Sequence, residues 1–242
     1  MPRVVKHPDI RRDELLDCAR ALFFERGYGR TTVNDIIDRA GVSKGGFYHH
    51  FSSKEEMLEA LAARLAREAV ARVRHVLDDP DLDALTRLNT FLARARQMKV
   101  EDAPRHRAMF DVVFKPENIV LYHRLNAAVG AVMVPILARV IAQGKQEGRF
   151  DVPEPQVAAE ILLQLGAATH DAVARAIEAT GTPEAAIAAD ALDERLRLQG
   201  IAIDRILGLP DGSVAFVEPG FGRAVMGLQR QSSGPSVRRR RQ

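Results

Sequence analysis

The apolar positions in the first quarter of the chain repeat at helical spacing. In residues 9–26 they fall at offsets 0, 1, 4, 7 and 8, on one face of a helix, at Leu15, Leu16, Ala19, Leu22 and Phe23. Residues 33–40 carry apolar side chains at offsets 0, 3, 4 and 7, which predicts a second, short amphipathic helix. Thr32 and Asp35 have the spacing of a capping box at its start. Gly41 stands where a left-handed residue commonly ends a helix.

Two serines mark the starts of the next two helices. Ser43 can cap a third helix over residues 44–51. Ser53 and Glu56 form a second capping box, which opens a fourth helix reaching residue 77. Prolines and glycines then divide the remaining pattern into helices over residues 82–98, 105–114, 117–143, 156–179 and 183–207.

These elements predict an all-α protein with two domains. A three-helix N-terminal domain of helix-turn-helix shape occupies residues 1–54, and the helix over residues 54–77 connects it to the second domain. This larger helical domain covers residues 55–209. Residues 210–242 are first turn-rich and then poor in apolar side chains, so we expect a poorly ordered basic tail.

Composition narrows the class of protein. Of 242 residues, 46% are hydrophobic and 28% are charged, which suits a soluble helical chain. The single cysteine, Cys18, excludes an intrachain disulfide and indicates a reducing compartment. The longest apolar run, residues 127–137, is shorter than the roughly 20 residues of a membrane span, and the charged N-terminal segment does not resemble a signal peptide. We therefore expect a cytoplasmic protein.

The third predicted helix contains two adjacent glycines, although each destabilises a helix by about 1 kcal/mol relative to alanine. Phe47 and Phe51 point to the core, which leaves Lys44, Gly45 and Tyr48 on other faces. A recognition helix presents its N-terminal residues to the DNA major groove, where glycines let the backbone come close. Lysine, tyrosine and histidine side chains there can contact phosphates or bases. A buried helix of an enzyme would leave the glycines unexplained.

The residues from 31 to 55 resemble the N-terminal signature of TetR-family transcriptional regulators. The resemblance is carried by TTV at 31–33, II at 36–37, AGVS at 40–43, KG at 44–45, FYHHF at 47–51 and SKE at 53–55. It extends from about residue 11 to residue 61. It implies an all-helical homodimer whose N-terminal domain binds operator DNA and whose C-terminal domain binds a small ligand and dimerises.

The resemblance also implies which residues contact DNA. Gly46 departs from the Thr, Ser or Ala more common at its position, so one possible base contact is missing. The implied contacts are Thr31, Thr32, Lys44, Gly45, Gly46, Tyr48, His49 and Lys54.

Two long apolar helices, over residues 156–179 and 183–207, are similar to the dimerisation pair of that family, and the alternative is that they complete only the core of one chain. Methionine and aromatic side chains on the intervening helices could line an adaptable effector pocket, although an ordinary core uses the same residues. The candidate pocket residues are Met98, Met109, Phe110, Phe114, Tyr122, His123, Met133, Gln164 and His170.

No catalytic motif is present, and the histidines have no metal-ligand spacing, so we expect neither an enzyme nor a metal or cofactor site. The sequence favours a repressor that a small molecule releases from a palindromic operator. A transcriptional activator, a ligand-independent DNA-binding protein of the same fold, and an all-helical enzyme or adaptor remain as alternatives.

Overall fold

The computed structural model describes residues 8–115 and 118–228, and these ranges contain helices and no strand. The helices are α1 (Pro8–Arg26), α2 (Val33–Ala40), α3 (Lys44–Tyr48), α4 (Lys54–Arg72), α5 (Arg74–Leu77), α6 (Ala84–Val113), α7 (Ile119–Gln146), α8 (Pro155–Ala167), α9 (His170–Glu178), α10 (Ala185–Ile206) and α11 (Phe221–Val225). The all-α prediction is confirmed.

Local capping sets the bounds of the first helices. The Thr32 hydroxyl accepts from the Asp35 amide at 3.1 Å, and the Asp35 carboxylate accepts from the Thr32 amide at 2.8 Å, which completes the capping box of α2. Gly41 ends α2 with φ +62°, a left-handed conformation that favours glycine. The second box differs from the prediction, because the Glu56 carboxylate accepts from the Ser52 amide rather than closing on Ser53.

The described residues contain three hydrophobic clusters, of which the smallest joins α9, the start of α10 and Met226, and the two larger ones form the main cores. The first joins α1–α4 and extends to the end of α6 and the start of α7, with buried residues such as Leu16, Phe23, Phe47, Leu61 and Leu125. The second is built from α6, α7, α8 and α10. Helix α7 packs against α4, α6 and α8 and so belongs to both cores. By length and composition alone, α7 could span a membrane. The sequence-based prediction did not include this, because it considered only the uninterrupted apolar run over residues 127–137.

Several helix bounds differ from those expected. Helix α6 continues through Pro104, which removes one backbone donor but does not end the helix here. The helix expected over residues 156–179 is broken at Thr169, whose hydroxyl donates to the Gly166 carbonyl at 2.6 Å. Residues 54–77 form two helices, because the backbone leaves helical geometry at Val73.

The segment over residues 210–228, which we call the C-terminal strap, is packed rather than poorly ordered. Asp204 of α10 is fully buried, and its carboxylate accepts from the amides of Gly212 at 2.6 Å and Val214 at 2.8 Å. Asn89 of α6 accepts from the Ala215 amide at 2.8 Å. The prediction of a poorly ordered tail is therefore wrong for the strap, and its remainder, residues 229–242, lies outside the described residues.

Candidate nucleic-acid interface and internal cavity

Helix α3 presents an exposed face made of Lys44, Gly45, Tyr48 and His49, which we call the α3 face. Tyr48 is 48% exposed, whereas the neighbouring Phe47 is fully buried and fixes the rotation of the helix. A Cβ atom added at Gly45 would meet nothing within 4 Å, so the backbone is bare on this side. The geometry suits close approach to a large, flat or grooved surface.

Gly46 and His50 lie beside this face and are less open. A Cβ atom at Gly46 would lie 3.3 Å from the Ser43 hydroxyl, which accepts from the Gly46 amide and caps α3. The ring of His50 lies 5.0 Å from that of His49, and burial, followed by the charges of His49 and Arg12, lowers the pKa of His50. The Arg12 guanidinium lies 4.8 Å from the centre of the Phe51 ring and so adds a cation near the end of α3. No local sequence motif predicts this contact.

Three of the expected DNA contacts make internal hydrogen bonds in this structure. Thr31 is 1% exposed, and its hydroxyl donates to the Gly27 carbonyl at 2.9 Å, so this hydroxyl is not offered at the surface. Thr32 is exposed but uses its hydroxyl in the α2 cap. The Lys54 ammonium donates to the carbonyls of Tyr28 at 3.0 Å and Thr31 at 2.9 Å.

Lys54 thereby joins α4 to the loop that precedes α2. Its ammonium also lies 4.1 Å from the centre of the Tyr28 ring, a cation–π contact. Burial lowers the pKa of Lys54. The Lys54 side chain positions the loop between α1 and α2. The sequence does not indicate this role, because Lys54 and Tyr28 are 26 residues apart.

We expect Lys54→Gln to lower the free energy of unfolding by about 1.5 kcal/mol, because hydrogen bonds to a charged group and a cation–π contact are lost. Urea denaturation measures this change. The matched control is Lys44→Gln, whose exposed side chain we expect to contribute little to stability. Unchanged stability of the Lys54 variant together with weakened DNA binding would instead indicate a direct phosphate contact.

A partly open cavity of about 430 Å³ lies between α1 of the helix-turn-helix domain and the larger helical domain. Its wall is contributed by α1, α4, α6, α7, α8 and α10 and by Phe216 of the C-terminal strap. Most lining side chains are apolar, and they include Leu65, Phe91, Met133 and Leu162. The volume lies in the range of small-molecule sites.

The structure sorts the expected pocket residues into four groups. Met98 and Met133 line the cavity. Phe114 and Tyr122 pack into the first core instead, with ring centres 5.4 Å apart. His123 and Gln164 are exposed and do not line it. The side chains of Met109, Phe110 and His170 lie outside the described residues.

The sequence-based prediction missed the other residues of the cavity wall. The half-buried apolar positions of α4, from Leu65 to Val70, could have indicated them.

The part of the chain that the structure describes brings no three His, Cys, Asp or Glu side chains together as a metal site.

A second exposed feature is a set of large apolar side chains, Val157 and Ile161 on α8 and Ile187 and Leu198 on α10, which we call the α8–α10 stripe. Ile187 is 72% exposed, Leu198 50%, Val157 48% and Ile161 45%. On each helix the two positions lie on one face, at offsets 0 and 4 on α8 and 0 and 11 on α10. The α8–α10 stripe lies within the two segments that were expected to dimerise.

Residues 15–61, which contain α2, α3 and most of α1, match the model of a family described as bacterial regulatory proteins, tetR family. Over these residues the chain is similar to the N-terminal domain of TetR-family regulators. A similar relative is the transcriptional repressor KstR2 of Mycobacterium tuberculosis, 47% identical over 78 residues. That match covers 32% of this chain and 39% of the relative, so the chain spans about two fifths of the length of the curated relative it matches.

Solved structures of other proteins share most of the fold. One is the repressor FadR of Thermus thermophilus in complex with lauroyl-CoA, at a TM-score of 0.57 and 21% identity, covering 78% of this chain and 92% of that one. Another is RolR in complex with resorcinol, at a TM-score of 0.58 and 19% identity, covering 92% of this chain and 95% of that one. At these identities the likeness concerns the fold, an N-terminal helix-turn-helix domain followed by a larger helical domain.

Proposed function

We propose that this chain is a transcriptional repressor that binds operator DNA as a homodimer and is released by a small-molecule effector. The observation that carries the proposal is the α3 face, in which Lys44, Tyr48 and His49 surround the bare backbone of Gly45. A duplex groove accepts such a helix, with cations and hydroxyls reaching phosphates and bases. The site of action is then the bacterial cytoplasm.

In this proposal α3 enters the major groove, and Lys44, Gly45, Tyr48 and His49 make the contacts. Gly46 donates its amide to the Ser43 hydroxyl, and the absence of a side chain at Gly46 leaves room for this cap of α3. Thr31 and Lys54 act indirectly, because their hydrogen bonds hold the loop from which α2 begins. Thr32 holds α2 through its capping box.

The α8–α10 stripe supports a homodimer. Large apolar side chains that are about half exposed on two neighbouring helices are typical of an interface with a second copy. A dimer also provides two recognition helices, which a palindromic operator needs about 34 Å apart.

We expect the double variant Ile161→Glu with Ile187→Glu to be monomeric. Burying each isoleucine contributes about 1.5–3 kcal/mol, and a buried glutamate adds a desolvation penalty, so the dissociation constant should rise by at least about 100-fold. Sedimentation velocity over a dilution series measures it. Val120→Glu is the control, because Val120 is 68% exposed but lies on α7, outside the stripe. A double variant that remains dimeric at wild-type concentrations contradicts the interface.

The cavity supports effector control. It is lined by Phe24 of the helix-turn-helix domain as well as by helices of the larger domain, so an occupant touches both. The structures of FadR with lauroyl-CoA and RolR with resorcinol are of proteins of this fold with small molecules bound. An effector that binds more tightly to the conformation with separated recognition helices lowers the operator affinity. The decrease cannot exceed the ratio of the effector's affinities for the two conformations.

Selection of genomic fragments by the purified protein, followed by footprinting, tests the proposed function. We expect a protected site with two inverted half-sites whose centres are about 34 Å apart. A footprint without two-fold symmetry contradicts the homodimer, and the absence of any enriched fragment contradicts the regulator.

A further inference from the structure

The charged residues among the described lining of the cavity lie close together. They are Arg20 of α1 and Glu68 and Arg72 of α4, and the other described lining residues are apolar or glycine. Arg20 pairs with Glu68, and Arg72 follows Glu68 by one helical turn, so two cations and one anion form one cluster beside an otherwise apolar lining. The cluster lies where α1, the first helix of the helix-turn-helix domain, meets α4.

Arg20 and Glu68 form the ion pair between these two helices that borders the cavity. The Arg20 guanidinium donates to the Glu68 carboxylate at 3.3 Å, which is long for a hydrogen bond between charged groups. Their side chains are 35% and 37% exposed. Glu68 also accepts from the Arg64 guanidinium at 3.2 Å. If Arg20 turned away, Glu68 would keep a cationic partner.

A second set of contacts holds the same two helices further from the cavity. Arg64 of α4 donates to the carboxylate of Asp17 and, at 3.3 Å, to the carbonyl of Asp13. Asp13, Asp17 and Arg20 lie at offsets 0, 4 and 7, on one face of α1. We call the contacts of Arg64 with Asp13 and Asp17 the outer fastening of the α1–α4 junction, and the Arg20–Glu68 ion pair its inner fastening. Of the two, the inner fastening borders the cavity.

We propose that the cavity takes an elongated apolar ligand ending in an anionic group, and that this group binds Arg20 in place of Glu68. The proposal rests on the proposed function, since it assigns the chemical class of the effector and the contact through which it acts. A carboxylate or similar anion meets two cationic side chains, Arg20 and Arg72, whereas an ammonium group would meet the same two cations and a single anion, Glu68, which already accepts from Arg20 and Arg64. The exchange releases the inner fastening of α1 while Arg64 keeps the outer one.

The consequence reaches the α3 face through packing. Helix α1 packs against α2, and α2 packs against α3, so a change at Arg20 alters the support of the recognition helix. The ligand thus acts on a junction that belongs to both domains. Its anionic group has different partners in the two states, as a population shift requires.

Isothermal titration with matched amphiphiles tests the ligand class. The probes are straight-chain carboxylates of eight to sixteen carbons and the primary alcohols of equal length, titrated into the full chain. At the best length we expect the carboxylate to bind at least about tenfold more tightly than the alcohol. Equal affinity of the two series, or no binding by any chain length, overturns the proposal.

Variants of the inner fastening test the assignment of the contact. We expect Arg20→Gln to weaken carboxylate binding about tenfold without changing alcohol binding, and Arg20→Lys to retain most of the affinity. Glu68→Gln should tighten carboxylate binding, because the competing anion is removed. Arg139→Gln is the control, since its exposed pair with Asp78 lies away from the cavity wall. An equal loss for both ligand series in Arg20→Gln, or weaker carboxylate binding in Glu68→Gln, overturns the assignment.

Coupling to DNA is measured separately, on the operator selected by the protein. The carboxylate should lower the operator affinity of the wild type and leave that of Arg20→Gln unchanged. An equal decrease in both overturns the proposed route. The titrations contain no DNA, so failure of operator binding would count against the proposed function alone, and failure of the titrations would count against the ligand class alone.

Discussion

Replacing Arg87 by Met is expected to lower the free energy of unfolding by about 3–5 kcal/mol, because each buried carbonyl that loses its donor costs about 1–3 kcal/mol. Arg87 lies on α6 and is only 6% exposed. Its guanidinium donates to a side-chain oxygen and to four backbone carbonyls that end α5 and form the following turn. These acceptors are Gln143 Oε1 and the carbonyl oxygens of Val76, Leu77, Asp79 and Leu82.

The size of the effect is explained by the polar groups that methionine cannot satisfy. Methionine fills most of the space of the arginine stem but provides no donor, so carbonyls buried around it lose their partners. The turn between α5 and α6 keeps one contact with α7, because the Gln143 amide donates to the Leu82 carbonyl at 3.0 Å, but it loses the donor to the carbonyls of Val76 and Leu77. This joint supports the second core, which forms part of the cavity wall.

Urea denaturation followed by circular dichroism measures the change in stability. Arg94→Met on the same helix is the matched control, because Arg94 is exposed and should change stability by no more than about 0.5 kcal/mol. If the two variants lose equally little, the carbonyls around Arg87 are satisfied in another way and its role as an organising residue is contradicted.

Gly45→Leu is expected to reduce operator affinity by at least about 100-fold, equivalent to about 2.7 kcal/mol, without destabilising the free protein. A side chain at this position has open space in the chain itself, since an added Cβ meets nothing within 4 Å. Leucine is also a better helix former than glycine by up to about 1 kcal/mol. The loss therefore comes from the duplex, whose surface approaches the bare backbone of α3.

A graded series separates this effect from folding. Gly45→Ala should lose less operator affinity than Gly45→Leu, and both should melt at or above the wild-type temperature. Gly130→Ala on α7 is the control, because an added Cβ there also meets nothing within 4 Å and the site lies outside the helix-turn-helix domain. Wild-type operator affinity of Gly45→Leu would mean that the backbone of α3 does not approach the duplex.

The parts of the fold that can be predicted from the sequence are those determined by near neighbours. The capping box of Thr32 with Asp35, the left-handed Gly41 and the Ser43 cap involve residues at most three positions from the helix ends that they define, so composition and spacing reveal them. The buried Phe47 and the exposed Tyr48 likewise result from the rotation of one short helix.

The remainder depends on partners that are distant in sequence. The C-terminal strap looks disordered by composition because its stabilising groups, Asn89 and Asp204, lie on other helices. Lys54 looks like a surface cation until α4 is placed beside Tyr28. The cavity is built from six helices and the strap, so methionine content picked out Met98 and Met133 but could not separate them from core residues such as Tyr122.

The measurement that tests the central claim most directly is fluorescence anisotropy of the purified protein on its selected operator and on a scrambled duplex, at two salt concentrations. We predict tight operator binding and, at physiological salt, binding to the scrambled duplex at least about a thousandfold weaker. Weak binding that is equal on both duplexes and disappears at the higher salt concentration would contradict the account, because the α3 face would then respond only to the charge of the phosphates.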